Sequence, residues 1–207
     1  MRAFDTIPDI HDLKEYVLEQ DGSIRCLPAA EWRKFPWEEV RYFMHEYPIY
    51  VLPTEELIDL LDELIGDHKT IEIGAGAGQV GKHLDIKQTD SYLQARNDIK
   101  LYYLLNGQPV IKYPSYVIKA DALTAYRRFK PECMLGCYVT HYSTEGAGNS
   151  WGVDFQRLLP LLKRLILVGN KEIHGENPIM KLPHREINID GVLSRRGDDT
   201  TIYVWDN

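Results

Sequence analysis

Leucines at 57, 60, 61 and 64 recur at the spacing of a helix with one apolar face. Thr54, between Pro53 and the acids Glu55 and Glu56, is a good start for that helix. Its hydroxyl can accept from the first turn, and the two carboxylates meet the positive end of the helix dipole. Gly66 ends the pattern. Thr70-Ile71-Glu72-Ile73 then reads as a short strand running directly into glycines. Further strands are predicted at 86–89, 116–119, 134–139 and 165–168, with helical patterns between most of them. Residues 122–129 form one such helix. Residues 153–164 form another, with Phe155, Leu158, Leu159 and Leu162 on one face and an irregularity at Pro160. Alternating strands and helices predict an α/β fold, a mostly parallel, doubly wound sheet covered on both faces. The tail breaks the alternation. Residues 184–189 and 201–205 are strand-like and joined by a polar Gly/Arg/Asp segment, which predicts an antiparallel C-terminal hairpin at the sheet edge.

Residues 1–50 carry a different pattern, dense in Trp32, Pro36, Trp37, Tyr42, Tyr47, Pro48 and Tyr50. Prolines interrupt the periodicity often, so one short helix over 37–46 is all that is expected there. The chain thus divides into a short N-terminal cap, 1–50, and a main domain, 51–207.

Composition narrows the setting. The 207 residues are 44% hydrophobic, ample for a packed core. No run nears the ~18 apolar residues of a membrane span, and residues 1–12 lack the apolar stretch of a secretory signal. Cys26, Cys133 and Cys137 cannot all pair within one chain, and a reducing cytoplasm suits them. Cys133 and Cys137 would supply half a metal site, or simply two small buried residues in a strand. The net charge of −7 gives little long-range attraction to a phosphate backbone. Arg127, Arg128 and Lys130, like Arg195 and Arg196, read as solvated faces. Nucleic acid is therefore disfavoured as a partner.

The segment with chemical content is Glu72-Ile73-Gly74-Ala75-Gly76-Ala77-Gly78-Gln79. A strand ends in a bare turn, and a helix is expected from near Gln79. Glycines allow the sharp turn and leave no Cβ to block a ligand, while the first N–H groups of the helix remain free. A dinucleotide-binding turn, Gly-x-Gly-x-x-Gly, would need glycine at position 79, which is Gln.

The run resembles motif I of class I S-adenosylmethionine-dependent methyltransferases, Asp/Glu-x-Gly-x-Gly-x-Gly. The resemblance implies a Rossmann-like methyltransferase fold. It also implies that Gly74, Ala75, Gly76 and Gly78 pack against the methionyl end of S-adenosylmethionine and that Glu72 helps hold its amino group. It further implies that Asp90, ending the second strand, accepts from the ribose hydroxyls, and that Asp121, after the third, contacts the adenine amino group. Each acid also has a structural reading: Glu72 a capping carboxylate, Asp90 a turn residue, Asp121 a helix N-cap. Three acids suit a cationic, phosphate-free ligand and would repel a pyrophosphate.

Side chains after the fourth strand face the methyl group in this family. Here the stretch is Cys137-Tyr138-Val139-Thr140-His141-Tyr142. His141 is the candidate base, its ordinary pKa lying near neutrality, and Tyr138 and Tyr142 are candidates to orient a substrate. Both sequence signatures of DNA methylation are missing: there is no Asn/Asp-Pro-Pro-Tyr, and Glu132 precedes Cys133 where a Pro-Cys pair would be needed. Residues 146–150 read as a surface turn, and 170–174 as a further possible wall of the substrate pocket, with His174 structural. Trp37, Tyr47 and Tyr50 are candidates to close over the cofactor, Tyr50 foremost. The expected activity is methyl transfer to a small molecule or protein side chain. Its rivals are a non-catalytic cofactor-binding protein and a nicotinamide-dependent oxidoreductase.

Overall fold

A computed structural model describes residues 7–142, 151–197 and 199–207. In chain order the elements are α1 (His11–Val17), α2 (Ala29–Trp32), α3 (Trp37–Glu46), α4 (Glu55–Ile65), β1 (Thr70–Ile73), α5 (Gln79–His83), β2 (Lys87–Asp90), α6 (Asn97–Leu105), β3 (Ile118–Lys119), α7 (Ala122–Phe129), β4 (Cys133–Cys137), α8 (Phe155–Leu158), β5 (Arg164–Gly169), α9 (Lys171–His174), β6 (Arg185–Ile187) and β7 (Thr201–Asp206). The seven strands form one sheet in the order β3-β2-β1-β4-β5-β7-β6. Strands β1 to β5 run parallel, and β7 is antiparallel to both β5 and β6. This is the expected Rossmann-like α/β sheet with an antiparallel pair at one edge.

Alternation along the central strands builds a core on each face. Ile71, Ile73, Met134, Leu165 and Leu167 pack on one side with Ala125, Leu158 and Leu162. Cys133, Leu135, Ile166 and Val168 pack on the other with Leu57, Leu61 and Leu64 of α4. Both candidate metal cysteines therefore sit in a strand. Helix α4 begins as read: the Thr54 hydroxyl accepts from Leu57 N at 3.3 Å, and Gly66 closes the helix at φ 53°.

The predicted helix over 153–164 is cut short. Helix α8 ends at Leu158, a 3-10 turn (Leu159–Leu161) carries Pro160, and Arg164 already opens β5. Proline supplies no amide donor to the α-helical ladder, so the irregularity becomes a break. Strand β3 keeps only the last two residues of its predicted run.

Helices α1, α2 and α6 lay outside the sequence pattern. In residues 7–50, α1 and α2 join the expected α3, and Leu13, Val17, Trp32, Val40, Phe43 and Met44 form a third apolar cluster with Leu193. Helix α6 lies in the long connection from β2 to β3. It buries Ile99 but exposes Leu101, Leu104 and Leu105, so no amphipathic stripe announces it. The segment 146–150 falls outside the described residues. No helix among them is long and apolar enough to cross a membrane.

Candidate functional site

The chain reverses its winding between β1 and β4, which neighbour each other in the sheet although β2 and β3 intervene in sequence. Ligands of open α/β sheets bind outside the carboxyl ends of the strands at such a switch point. A cleft of about 280 Å³ lies there, lined by the glycine turn and by Tyr50, Glu72, Asp90, Asp121 and Val139, among others.

The turn after β1 is built by its glycines. Gly74, Gly76 and Gly78 have φ of 60°, 55° and 70°, left-handed conformations that side-chain-bearing residues adopt only with strain. At Gly74 a Cβ would stand 2.8 Å from a methyl of Val139, so this glycine admits the chain leaving β4. At Gly76 it would come within 3.2 Å of Ile111. At Gly78 it would meet the Gln88 side chain and, at 2.8 Å, the Tyr116 ring. Gln88 itself bridges the start of α5. Its amide nitrogen faces the Gly78 carbonyl at 2.9 Å and its oxygen the Lys82 N–H at 2.7 Å.

Glu72 is 2% exposed, and it accepts a 3.0 Å hydrogen bond from the Gly81 N–H in α5. Burial pushes its carboxyl up to about 8, against that hydrogen bond and with help from the nearby Asp90 charge. Asp90 is 7% exposed and accepts from Gly76 N at 3.0 Å and Tyr92 N at 2.7 Å. Burial raises its pKa too, offset by those amides and by the Tyr113 hydroxyl. Asp121 caps α7, accepting from Thr124 N at 2.9 Å and from the Thr124 hydroxyl at 2.6 Å. All three acids thus have the structural role read for them, and all three also line the cleft. Tyr50, Gly74, Ala75, Gly76 and Gly78 line it with them.

The residues read as catalytic are placed differently. Tyr138 lines the cleft, but its hydroxyl bonds to Ser194 Oγ at 2.9 Å and Thr200 Oγ1 at 2.7 Å in buried surroundings. It follows the end of β4 with φ 52°, and its ring stacks on Tyr50 with centroids 6.1 Å apart. His141 and Tyr142 do not line the cleft; they sit beside it, where His141 bridges Val153. Partial burial lowers the His141 pKa. His174 is buried, with Nδ1 at 3.1 Å from the Asn170 carbonyl, and also lies off the cleft, as do Trp37 and Tyr47.

Sequence reasoning missed the wall supplied by the β2–β3 connection. Leu93, Gln94, Tyr103, Ile111 and Tyr113 all line the cleft. Tyr113 stacks on Tyr92 at 4.0 Å, and Gln94 holds Ile111 N at 3.0 Å. The density of tyrosines at 92, 102, 103, 113 and 116 was the available signal. Asp154 adds a fourth acid. No lysine or arginine lines the cleft among the described residues.

The donor set fits a cationic nucleoside without phosphate. Acceptors abound, cations are missing from the lining, and the turn glycines border the cleft, although a Cβ at each would meet Val139, Ile111 or Tyr116 rather than open space. A pyrophosphate would find no basic partner among these side chains.

No family model and no curated protein matches the sequence. Among solved structures, the chain is similar to a Staphylococcus aureus protein described as a candidate caffeoyl-CoA O-methyltransferase, at 15% identity and TM-score 0.41, over 86% of this chain and 96% of that one. It is similar to Thermoplasma acidophilum 1320 at 10% identity and TM-score 0.38, over 86% and 95%. It is also similar to an S-adenosylmethionine-dependent methyltransferase from Agrobacterium tumefaciens at 16% identity and TM-score 0.33, over 76% and 63%. These likenesses are too distant to bear on activity. The strand order and the antiparallel β7 define the fold.

Proposed function

We propose that this chain binds S-adenosylmethionine at the β1–β4 switch point and transfers its methyl group to a small molecule or a protein side chain. The observation that carries the reading is the lining of one cleft. Three left-handed glycines and four carboxylates converge there, with no cationic side chain among the described lining residues. Glu72 would hold the methionyl amino group, Asp90 the ribose hydroxyls and Asp121 the adenine end. The bound cofactor would supply an electrophilic methyl group. The protein's part is to orient the acceptor and exclude water. Tyr50, Tyr103, Ile111 and Tyr113 wall the cleft on the sides the sheet leaves open.

A non-catalytic cofactor-binding protein is the second reading, and one set of positions favours it. The Tyr138 hydroxyl is committed to Ser194 and Thr200, and His141 and Tyr142 lie off the cleft. The nicotinamide reading loses ground, since the lining offers its pyrophosphate no cation.

Calorimetry with S-adenosylmethionine and S-adenosylhomocysteine tests the cofactor. Micromolar binding with none of NAD(H) is expected, and the reverse ranking would replace this reading. Production of S-adenosylhomocysteine above background across an acceptor panel decides between enzyme and binding protein.

A further inference from the structure

Arg195 is a half-buried cation whose guanidinium end is shut away from water. Its two terminal guanidinium nitrogens are shielded from solvent and make no well-formed hydrogen bond among the described residues, although the Tyr50 hydroxyl lies beside them. A guanidinium carries five donors and keeps its charge in any protein. Leaving it unpaired out of water is costly, and removing such a charge altogether is often neutral or stabilising. Among the described residues no carboxylate pairs with it.

What holds Arg195 is aromatic. Its backbone N–H donates to the Tyr50 carbonyl at 2.9 Å, next to the bridge between Val51 and Ser194. Its guanidinium carbon lies 4.3 Å from the centroid of the Tyr50 ring. A ring face attracts the charge but supplies no lone pair in the plane of the guanidinium. The hydroxyls of Tyr50 and Tyr103 lie close to one another and to the Arg195 charge. Both tyrosines line the cleft, and Tyr50 also stacks on Tyr138 at the end of β4. The covering ring is thus itself part of the cleft wall.

We infer that Arg195, with the Tyr103 hydroxyl, is a carboxylate-binding subsite at the cleft wall, opened when the Tyr50 side chain turns aside. The planar fork of donors matches a carboxylate, and the Tyr103 phenol completes its shell. The carboxylate has two possible sources: the methionyl end of the cofactor, or an acidic methyl acceptor. Assigning the source rests on the cofactor reading above; the subsite does not.

The test compares wild type with Arg195→Met. Affinities are measured for S-adenosylhomocysteine and for 5′-methylthioadenosine, which lacks the amino-acid moiety. Melting temperatures are read in sodium acetate against sodium chloride at equal ionic strength, with and without S-adenosylhomocysteine. Arg195→Met should melt no lower than wild type, because it removes a shielded charge that no carboxylate among the described residues neutralises. If the cofactor supplies the carboxylate, S-adenosylhomocysteine binding weakens at least tenfold and 5′-methylthioadenosine binding is unchanged. If the acceptor supplies it, both nucleosides bind as before, and the variant loses an acetate-specific rise in melting temperature seen in wild type. Equal loss of both nucleosides makes Arg195 a packing residue and overturns the inference. So does a variant that matches wild type toward every ligand. A wild type that binds neither nucleoside refutes the cofactor reading alone, and the acetate measurement then decides the subsite. Should Arg195→Met not fold, Arg195→Lys keeps the charge without the fork. It should show the same ligand-selective loss, and its absence would overturn the subsite.

Discussion

The carboxylate of Asp90, at the end of β2, accepts a 3.0 Å hydrogen bond from the backbone N–H of Gly76 in the turn after β1. One side chain therefore holds the glycine turn in shape and presents its remaining lone pairs to the cleft. Asp90→Ala should weaken S-adenosylmethionine binding by about 1.5–3 kcal/mol, through lost hydrogen bonds to a charged acceptor. It should also lower stability by about 1–3 kcal/mol, since the N–H groups of Gly76 and Tyr92 lose their partner. Calorimetry and urea unfolding read the two effects separately. A folded variant with wild-type affinity would remove Asp90 from the site.

Gly76→Ala places a Cβ at φ 55° and within 3.2 Å of Ile111. The left-handed conformation alone should cost about 1–2 kcal/mol in a denaturant melt. The turn would shift or Ile111 would be displaced, and cofactor affinity should fall at least tenfold. A stable variant with unaltered binding would show that no ligand uses this turn.

Glu72 makes stability depend on pH. Its folded-state pKa is raised to about 8 from an ordinary 4.5, chiefly by burial. The folded state thus holds a proton that the unfolded chain has lost between those values. The resulting stability is complete below about 4.5 and is lost as pH rises through about 8. The slope is at most about 1.4 kcal/mol per pH unit. Glu72→Gln should remove that slope, so the gap between wild-type and variant unfolding free energies should change across this window and level off above it. Asp90, Cys137 and Tyr116 share its surroundings. Pairing with a ligand ammonium would ionise Glu72, so cofactor binding at pH 7 should release a proton. Calorimetry in buffers of different ionisation heat measures it, and proton uptake would contradict the assignment.

Tyr138→Phe separates packing from chemistry. The hydroxyl joins the end of β4 to Ser194 and Thr200. Its removal should cost about 1–2 kcal/mol of stability, chiefly because the buried Thr200 hydroxyl loses this partner, while Ser194 keeps its bonds to Gly197 and Arg196. Cofactor affinity should change less than twofold. If methyl transfer instead falls a hundredfold in a folded variant, Tyr138 belongs to the chemistry.

Much of the fold was legible in local pattern. Leucines at 57, 61 and 64 marked the buried face of α4, and Thr54 and Gly66 marked its ends. The alternation of Met134 and Leu135 placed β4 between two cores. The glycine turn was equally plain, because a positive φ at three closely spaced positions is a backbone demand that shows as glycine. Helix α6 escaped notice because it buries only one residue, and period analysis sees burial rather than helicity.

What the sequence determined by itself was therefore the run of strands, the ends of α3, α4 and α7, the glycine turn and the three acids, Glu72 in β1, Asp90 at the end of β2 and Asp121 after β3. Tertiary structure alone decided which side chains share the cleft. It turned the Tyr138 hydroxyl toward Ser194, left His141 outside, brought Ile111 over Gly76 and put Tyr103 in the cleft wall. The physical reason is range. Backbone conformation and alternating burial are set by neighbours a few residues apart, and each leaves a local mark. The direction of a tyrosine hydroxyl, or the lack of a carboxylate partner for Arg195 among the described residues, depends on atoms brought from segments more than fifty residues away, and nothing in the local pattern records it.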